Sequence, residues 1–310
     1  MRVAYIFPGQ GAQTVGMGRD LYGAFGSAKA VFDKADDILG FSLSRLCFEG
    51  PEEELRQTIN AQPAILTVSL ACMEAIKETS GGKGFPSAAF VAGHSLGEYT
   101  ALAVASVIDF DTAVYLSRER GRLMHEAGLR NPGGMVAVIG LDEAVLQKIC
   151  WETDTFIANI NSPGQLVISG AQDNIIRAAD LAKAKGAKRT VPLVVSGAFH
   201  TPLMQPAVAG MLKIIDKLPF DDPVIPIIAN TTAKPMSTAE MVKEELLRQL
   251  CNSIDWVGSV RLMVKEGVST LVEIGPGKVL SGLIKRIDDS VETVNIGDAE
   301  AVENVPSLFP

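Results

Sequence analysis

Histidine is scarce in this 310-residue chain: His94, His125 and His200 are the only three. Any chemistry that needs an imidazole must draw on that short set. Cysteine is hardly more plentiful. Cys47, Cys72, Cys150 and Cys251 stand far apart without the paired spacing of a zinc or redox site, so no metal is expected and the thiols read as reduced structural side chains in a cytoplasmic protein. An excess of basic charge is also missing. Twenty-eight Lys and Arg against thirty-six Asp and Glu give a formal net charge of -8, which excludes a nucleic-acid backbone as the main partner. No apolar run is expected to span a bilayer, and Met1-Arg2 passes straight into Val3-Ala4-Tyr5-Ile6-Phe7, which argues against a signal peptide and against a membrane partner.

The residues that are present describe a large folded core. Forty-seven per cent are hydrophobic, enough for one big domain carrying a smaller one. Short apolar runs alternate with helical patterns from the start, which predicts an α/β fold with a mainly parallel sheet. Val3 to Phe7 and Ala88 to Ala92 read as strands, and Asp20 to Leu39, Glu52 to Thr58 and Pro63 to Lys77 as helices. Gly81-Gly82-Lys83-Gly84 reads as a loop without the spacing of a phosphate-cradling motif. Gly9-Gln10-Gly11 runs on to Thr14 where a dinucleotide fingerprint would need a third glycine, so no nucleotide cofactor is expected there.

Between Asn131-Pro132-Gly133-Gly134 and Ser196-Gly197 the pattern changes. Met135 to Ile139, Thr155 to Ile160, Gln165 to Ser169 and Arg189 to Val194 read as strands, with helices over Asp142 to Trp151 and Asn174 to Lys185. This βαββαβ order is ferredoxin-like. The expectation is therefore a discontinuous large α/β domain, residues 1–130 and 196–310, with a small inserted ferredoxin-like subdomain over 131–195. Pro226 to Ala229 and Thr270 to Ile274 supply later strands of the main sheet, and the acidic, then apolar, stretch from Asp298 to Pro310 is expected to be loosely held.

Gly93-His94-Ser95-Leu96-Gly97 lies between the strand ending at Ala92 and the alanine-rich stretch Tyr99 to Ala105. A serine on such a strand-to-helix corner is a nucleophile elbow, where glycines relieve the crowding and new helix N–H groups can face an oxyanion. The other reading of those letters is a serine in a tight turn. A serine nucleophile needs a base. His94 is its neighbour and points the other way, and His125 belongs to a helical run, so elimination leaves His200, in Phe199-His200-Thr201-Pro202. No Asp between Ser95 and His200, from Asp109 and Asp142 onward, has the context of a third triad member, and a Ser-His dyad stays open.

Phe7-Pro8-Gly9-Gln10-Gly11, the Gly-His-Ser-Leu-Gly elbow, Arg120-Gly121, Phe199-His200 and Glu273-Ile274-Gly275-Pro276-Gly277 together resemble the malonyl-CoA:acyl carrier protein transacylase family over nearly the whole chain. The resemblance implies an α/β-hydrolase-like large domain and ping-pong transfer of a malonyl group from malonyl-CoA to the phosphopantetheine thiol of acyl carrier protein, for fatty acid synthesis. It implies acylation of Ser95, proton transfer by His200, an oxyanion hole made by the N–H groups of Gln10 and Leu96, a carboxylate grip by Arg120 and orientation of the histidine by Gln249. Asn161 is a candidate to line the cleft or form a turn. A planar guanidinium suits two carboxylate oxygens. Arg118 and Arg122, two positions to either side of Arg120, are expected to be exposed. A monomer is expected. The rival readings are a trans-acting polyketide acyltransferase, a serine esterase, and a carrier-binding module without catalysis.

Overall fold

The computed structural model describes residues 1–81 and 85–309; the predicted glycine loop over 81–84 falls mostly outside them. The strands are β1 (Val3–Phe7), β2 (Ala88–Gly93), β3 (Gly133–Ile139), β4 (Thr155–Ser162), β5 (Gln165–Ala171) and β6 (Arg189–Pro192). After them come β7 (Ile227–Ile228), β8 (Pro235–Met236), β9 (Ile254–Asp255), β10 (Thr270–Ile274) and β11 (Glu292–Ile296). Among the described residues they form two sheets, and the architecture is mixed α/β.

The larger sheet runs in the order β11-β10-β1-β2-β7-β8, parallel except between β7 and β8. All five residues of β1 are buried, because helices cover both faces of a central parallel strand and its sequence is apolar without alternation. The chain leaves β1 toward Gln10 and β2 toward Ser95. Those two loops therefore meet beyond the carboxyl ends of adjacent strands, the crevice where open α/β sheets bind ligands.

The smaller sheet runs β6-β3-β5-β4-β9, with antiparallel pairing among β3, β4, β5 and β6. Strand alternation splits its residues between two faces. Val136, Val138 and Ile168 pack under the helices Glu143–Thr153 and Gln172–Ala184, while Met135, Ala158 and Val167 join the core of the larger sheet. The parallel partner β9 comes from much later in the chain, so the sheet is completed by residues outside 131–195.

The helix Thr58–Ser80 starts earlier than the predicted Pro63. Proline has no N–H to give to the carbonyl four residues back. The Ile59 carbonyl instead accepts from Arg118 Nη1 at 2.8 Å, which keeps the helix continuous through Pro63. This helix is long and apolar enough by composition to cross a membrane, contrary to the expectation that no run is, but 89% of the relevant window is buried inside the fold. The predicted helix over 20–39 is broken at Phe25, whose backbone is extended and whose side chain is buried. Residues 298–309 are not loose. Asp298 caps the helix Ala299–Glu303 by accepting from Ala301 N, Val302 and Val305 are fully buried, and the Phe309 ring meets Phe85 edge-on.

Candidate active site

Ser95 sits between the end of β2 and the helix Gly97–Val104, with φ of 54°. That left-handed backbone is costly for a non-glycine residue and is maintained here by its surroundings. A Cβ on Gly97 would collide with the Phe7 carbonyl, and one on Gly9 with the His94 carbonyl. The two glycines thus let the loops after β1 and β2 press together. Asn230 Oδ1 accepts from Ser95 N at 2.7 Å, and Asn230 Nδ2 donates to the Gly93 carbonyl at 2.7 Å, bracing the corner from the loop after β7.

His200, also at positive φ (60°), brings Nε2 within 2.9 Å of Ser95 Oγ. Its Nδ1 lies 2.8 Å from the main-chain carbonyl of Gln249. A carbonyl only accepts, so Nδ1 carries the proton and Nε2 presents its lone pair to the serine hydroxyl. Burial, and then the charge of Arg120, push the imidazole down to about 3, which keeps it neutral. No carboxylate orients this histidine among the described residues. Asp109 and Asp142 cap helices instead, accepting from Thr112 N and Ala144 N.

Arg120 is 1% exposed. Its Nη2 donates to Ser95 Oγ at 3.1 Å and to Gln249 Oε1 at 2.7 Å, and its Nη1 to Gln62 Oε1 at 2.8 Å. Nε has no hydrogen-bond partner among the described residues. Nor does Arg120 form a salt bridge among them. Burial weighs against its charge, yet a guanidinium stays protonated in proteins. The expectation that its neighbours are exposed fails: Arg118 is half-buried, donating to Ile59 O and Asn60 Oδ1, and Arg122 is half-buried between Glu119 and Glu126.

Two hydrogen-bonded relays leave Arg120. One runs from Gln62 Nε2 to Thr58 Oγ1 at 2.9 Å and on to Gln10 Oε1 at 2.8 Å, tying the cation to the loop after β1. The other runs through Gln249, whose Nε2 donates to the Ser95 carbonyl at 2.9 Å and to buried Glu98 at 2.6 Å. The side chain of Gln249 thus reaches Arg120 while its main chain reaches His200. The N–H groups of Gln10 and Leu96 donate to no protein acceptor among the described residues. Gln62, Thr58, Glu98 and Asn230 escaped sequence reading, because each sits in a stretch with no motif beyond the elbow itself; Glu98, three residues past Ser95 on the first helical turn, offered the one usable signal.

A cleft of about 450 Å³ opens over Ser95, walled by Gln10, Arg120, Met124, Met135, Phe199 and His200. A second cavity of about 240 Å³ shares His94 and Gln10 with it and extends toward Asn161 and Leu283. Asn161 Oδ1 lies 2.8 Å from His94 Nε2, and the His94 ring meets Trp256 edge-on. His94 thus turns away from Ser95. His125 lies on the helix Phe110–Arg130, away from the cleft. Together the serine, neutral imidazole, two free amides and guanidinium can form and cleave an ester beside a bound anion.

The family model described as "Acyl transferase domain" matches residues 4–307. A malonyl CoA-acyl carrier protein transacylase of Bacillus subtilis is 43% identical, covering 97% of this chain and 95% of the relative. The Escherichia coli K12 protein of the same name is 42% identical, covering 96% and 97%. A solved structure of a type II PKS acyl-carrier protein in complex with its malonyl-transacylase superimposes with a TM-score of 0.94 at 40% identity, over 99% of this chain and 100% of that one.

Proposed function

This chain belongs to the acyl transferase domain family, among the malonyl CoA-acyl carrier protein transacylases, and from that membership we propose that it moves a malonyl group from malonyl-CoA to acyl carrier protein through an ester on Ser95. Ser95 Oγ attacks the thioester carbonyl as its proton passes to His200 Nε2. The tetrahedral oxyanion takes the N–H groups of Gln10 and Leu96, and collapse expels the coenzyme A thiolate, which His200 protonates. The carrier's phosphopantetheine thiol then gives His200 its proton and attacks the ester, reversing the steps. The Gln249 carbonyl holds the imidazole in the required tautomer.

One observation carries this reading: a buried guanidinium on the nucleophile, bonded only to neutral groups. A buried cation with no opposite charge in contact costs several kcal/mol. A substrate that brings its own carboxylate offsets that cost; an ordinary ester does not. Pairing with the malonyl carboxylate also offsets the charge that helps depress His200, so the base strengthens once the correct substrate is seated.

Strand order supports the finer architecture, an α/β-hydrolase-like large domain over 1–130 and 196–310 with a ferredoxin-like subdomain over 131–195, the two walls of the cleft. The protein is read as a cytoplasmic monomer needing no cofactor. Supply of a polyketide carrier is the second reading, favoured by the PKS carrier complex among the similar structures. Intact-mass measurement tests the proposal. Malonyl-CoA alone should add one malonyl group to the protein, acyl carrier protein should remove it, and Ser95→Ala should gain none; an adduct on that variant would place the nucleophile elsewhere.

A further inference from the structure

Glu98 is fully buried on the first turn after the elbow. Its Oε1 accepts from Asn230 N at 2.9 Å and Asn230 Nδ2 at 3.0 Å, and its Oε2 from Gln249 Nε2 at 2.6 Å. The amide orientations are fixed by their far ends. Arg120 only donates, so Gln249 must turn Oε1 toward it and Nε2 toward Glu98. The Ser95 N–H only donates, so Asn230 must turn Oδ1 toward it and Nδ2 toward Glu98. Every contact reaching Glu98 is then a donor, which only a carboxylate satisfies throughout.

We propose that Glu98 is a positioning residue for acyl transfer, one acceptor that sets the elbow through Asn230 and the carboxylate-binding cation through Gln249. It touches neither substrate nor reacting atoms. Burial and the neighbouring Glu245 push the Glu98 carboxyl up, and the Asn230 N–H, Arg120 and Gln249 pull it back. As the acceptor of three donors it sits one amide away from Arg120 without occupying the fork the malonyl group needs. This rests on the reading of Arg120 given above. A glutamine at 98 would present its own NH₂ to one of the two amides. The Asn230 main-chain N–H cannot turn over, so the new carbonyl oxygen stays at the Oε1 position and the new NH₂ meets Gln249, which turns over and aims its own NH₂ at Arg120.

Glu245 provides the control. It too is a buried carboxylate and Glu98 feels its charge, but it accepts from Thr231 N at 2.7 Å and Thr231 Oγ1 at 2.6 Å and from neither side-chain amide, so its loss changes the field at Glu98 without removing the shared acceptor. The experiment measures kcat/KM with malonyl-CoA and acetyl-CoA for wild type, Glu98→Gln and Glu245→Gln, corrected for the fraction of Ser95 that can be acylated. Leaving one buried donor unpaired should lower malonyl transfer by Glu98→Gln about 5- to 100-fold. The loss should be smaller for acetyl transfer, so the malonyl preference shrinks. Glu245→Gln should lower the melting temperature and keep the preference. If Glu98→Gln yields no soluble protein, Glu98→Asp keeps the charge but is one methylene short, and should show the same shrinkage. An unchanged preference in the Glu98 variant, or an equal change in Glu245→Gln, overturns the proposal. A wild type without malonyl preference would fail earlier, at Arg120 itself.

Discussion

At the scale of single residues, Arg120, through the carboxylate grip proposed for it, is what would separate this protein from a general serine esterase. Its charge is buried and hydrogen-bonded to Gln62, Gln249 and Ser95, so removing it subtracts the group that would meet a substrate anion. Breaking a buried charge pair costs about 3–5 kcal/mol. Arg120→Ala should therefore lose roughly 10²- to 10⁴-fold in kcat/KM for malonyl-CoA and much less for acetyl-CoA; equal losses would make the guanidinium structural. Lysine should rescue poorly, since it lacks the fork that reaches both glutamines.

His200 makes a second prediction at this scale. Its folded pKa lies below the unfolded value, pushed down by burial and then by Arg120, so the unfolded chain binds the extra proton between about pH 6.5 and 3. Stability from this group is present above that window and is lost as pH falls through it. The same shift keeps the base unprotonated, so labelling of Ser95 by a serine-directed fluorophosphonate should persist below pH 6.5. In Arg120→Gln, which removes the second cause, the acid limb should move upward. An unmoved limb would show that the two side chains do not sense each other.

At the scale of elements, the two loops at the carboxyl ends of β1 and β2 form one device. Gly97→Ala puts a methyl into the Phe7 carbonyl, and Gly9→Ala puts one into the His94 carbonyl. Each should separate the Gln10 and Leu96 amides and lower the acylation rate about 10²- to 10³-fold, the usual effect of losing an oxyanion donor. Pre-steady-state release of coenzyme A would read it, and a normal burst in both variants would mean that the amides play no part.

Much of this device was legible in the sequence. A serine between glycines, after one apolar run and before an alanine-rich one, is a local signal, and β1, β10 and the elbow fall where the pattern puts them. The helices around Pro63 and Phe25 were less legible, because Arg118 supplies a partner for the Ile59 carbonyl from 59 residues away and burial overrides local preference at Phe25. The polar scaffold was barely legible. Gln62, Asn230 and Glu98 acquire meaning only when three separate segments converge on Ser95, and no periodicity marks a polar side chain whose partner is a buried amide.

At the scale of the whole molecule, Ser95 follows a strand of the larger sheet, Arg120 projects from the helix Phe110–Arg130 and His200 from the loop after β6, and the smaller sheet closes over them with Met135, Asn159 and Asn161. The strand β9 joins the two by pairing with β4 while its flanking residues belong to the larger part of the chain. The cleft is thus held by main-chain bonds as well as by side-chain packing. In the proposed reaction a seryl ester forms under a guanidinium that holds the far carboxylate. The most direct measurement is a crystal structure of the protein soaked with malonyl-CoA. The account predicts Ser95 Oγ esterified, the malonyl carboxylate within hydrogen-bonding distance of Arg120, and the ester carbonyl facing the Gln10 and Leu96 amides; an unmodified Ser95, or an ester whose carboxylate lies away from Arg120, would contradict it.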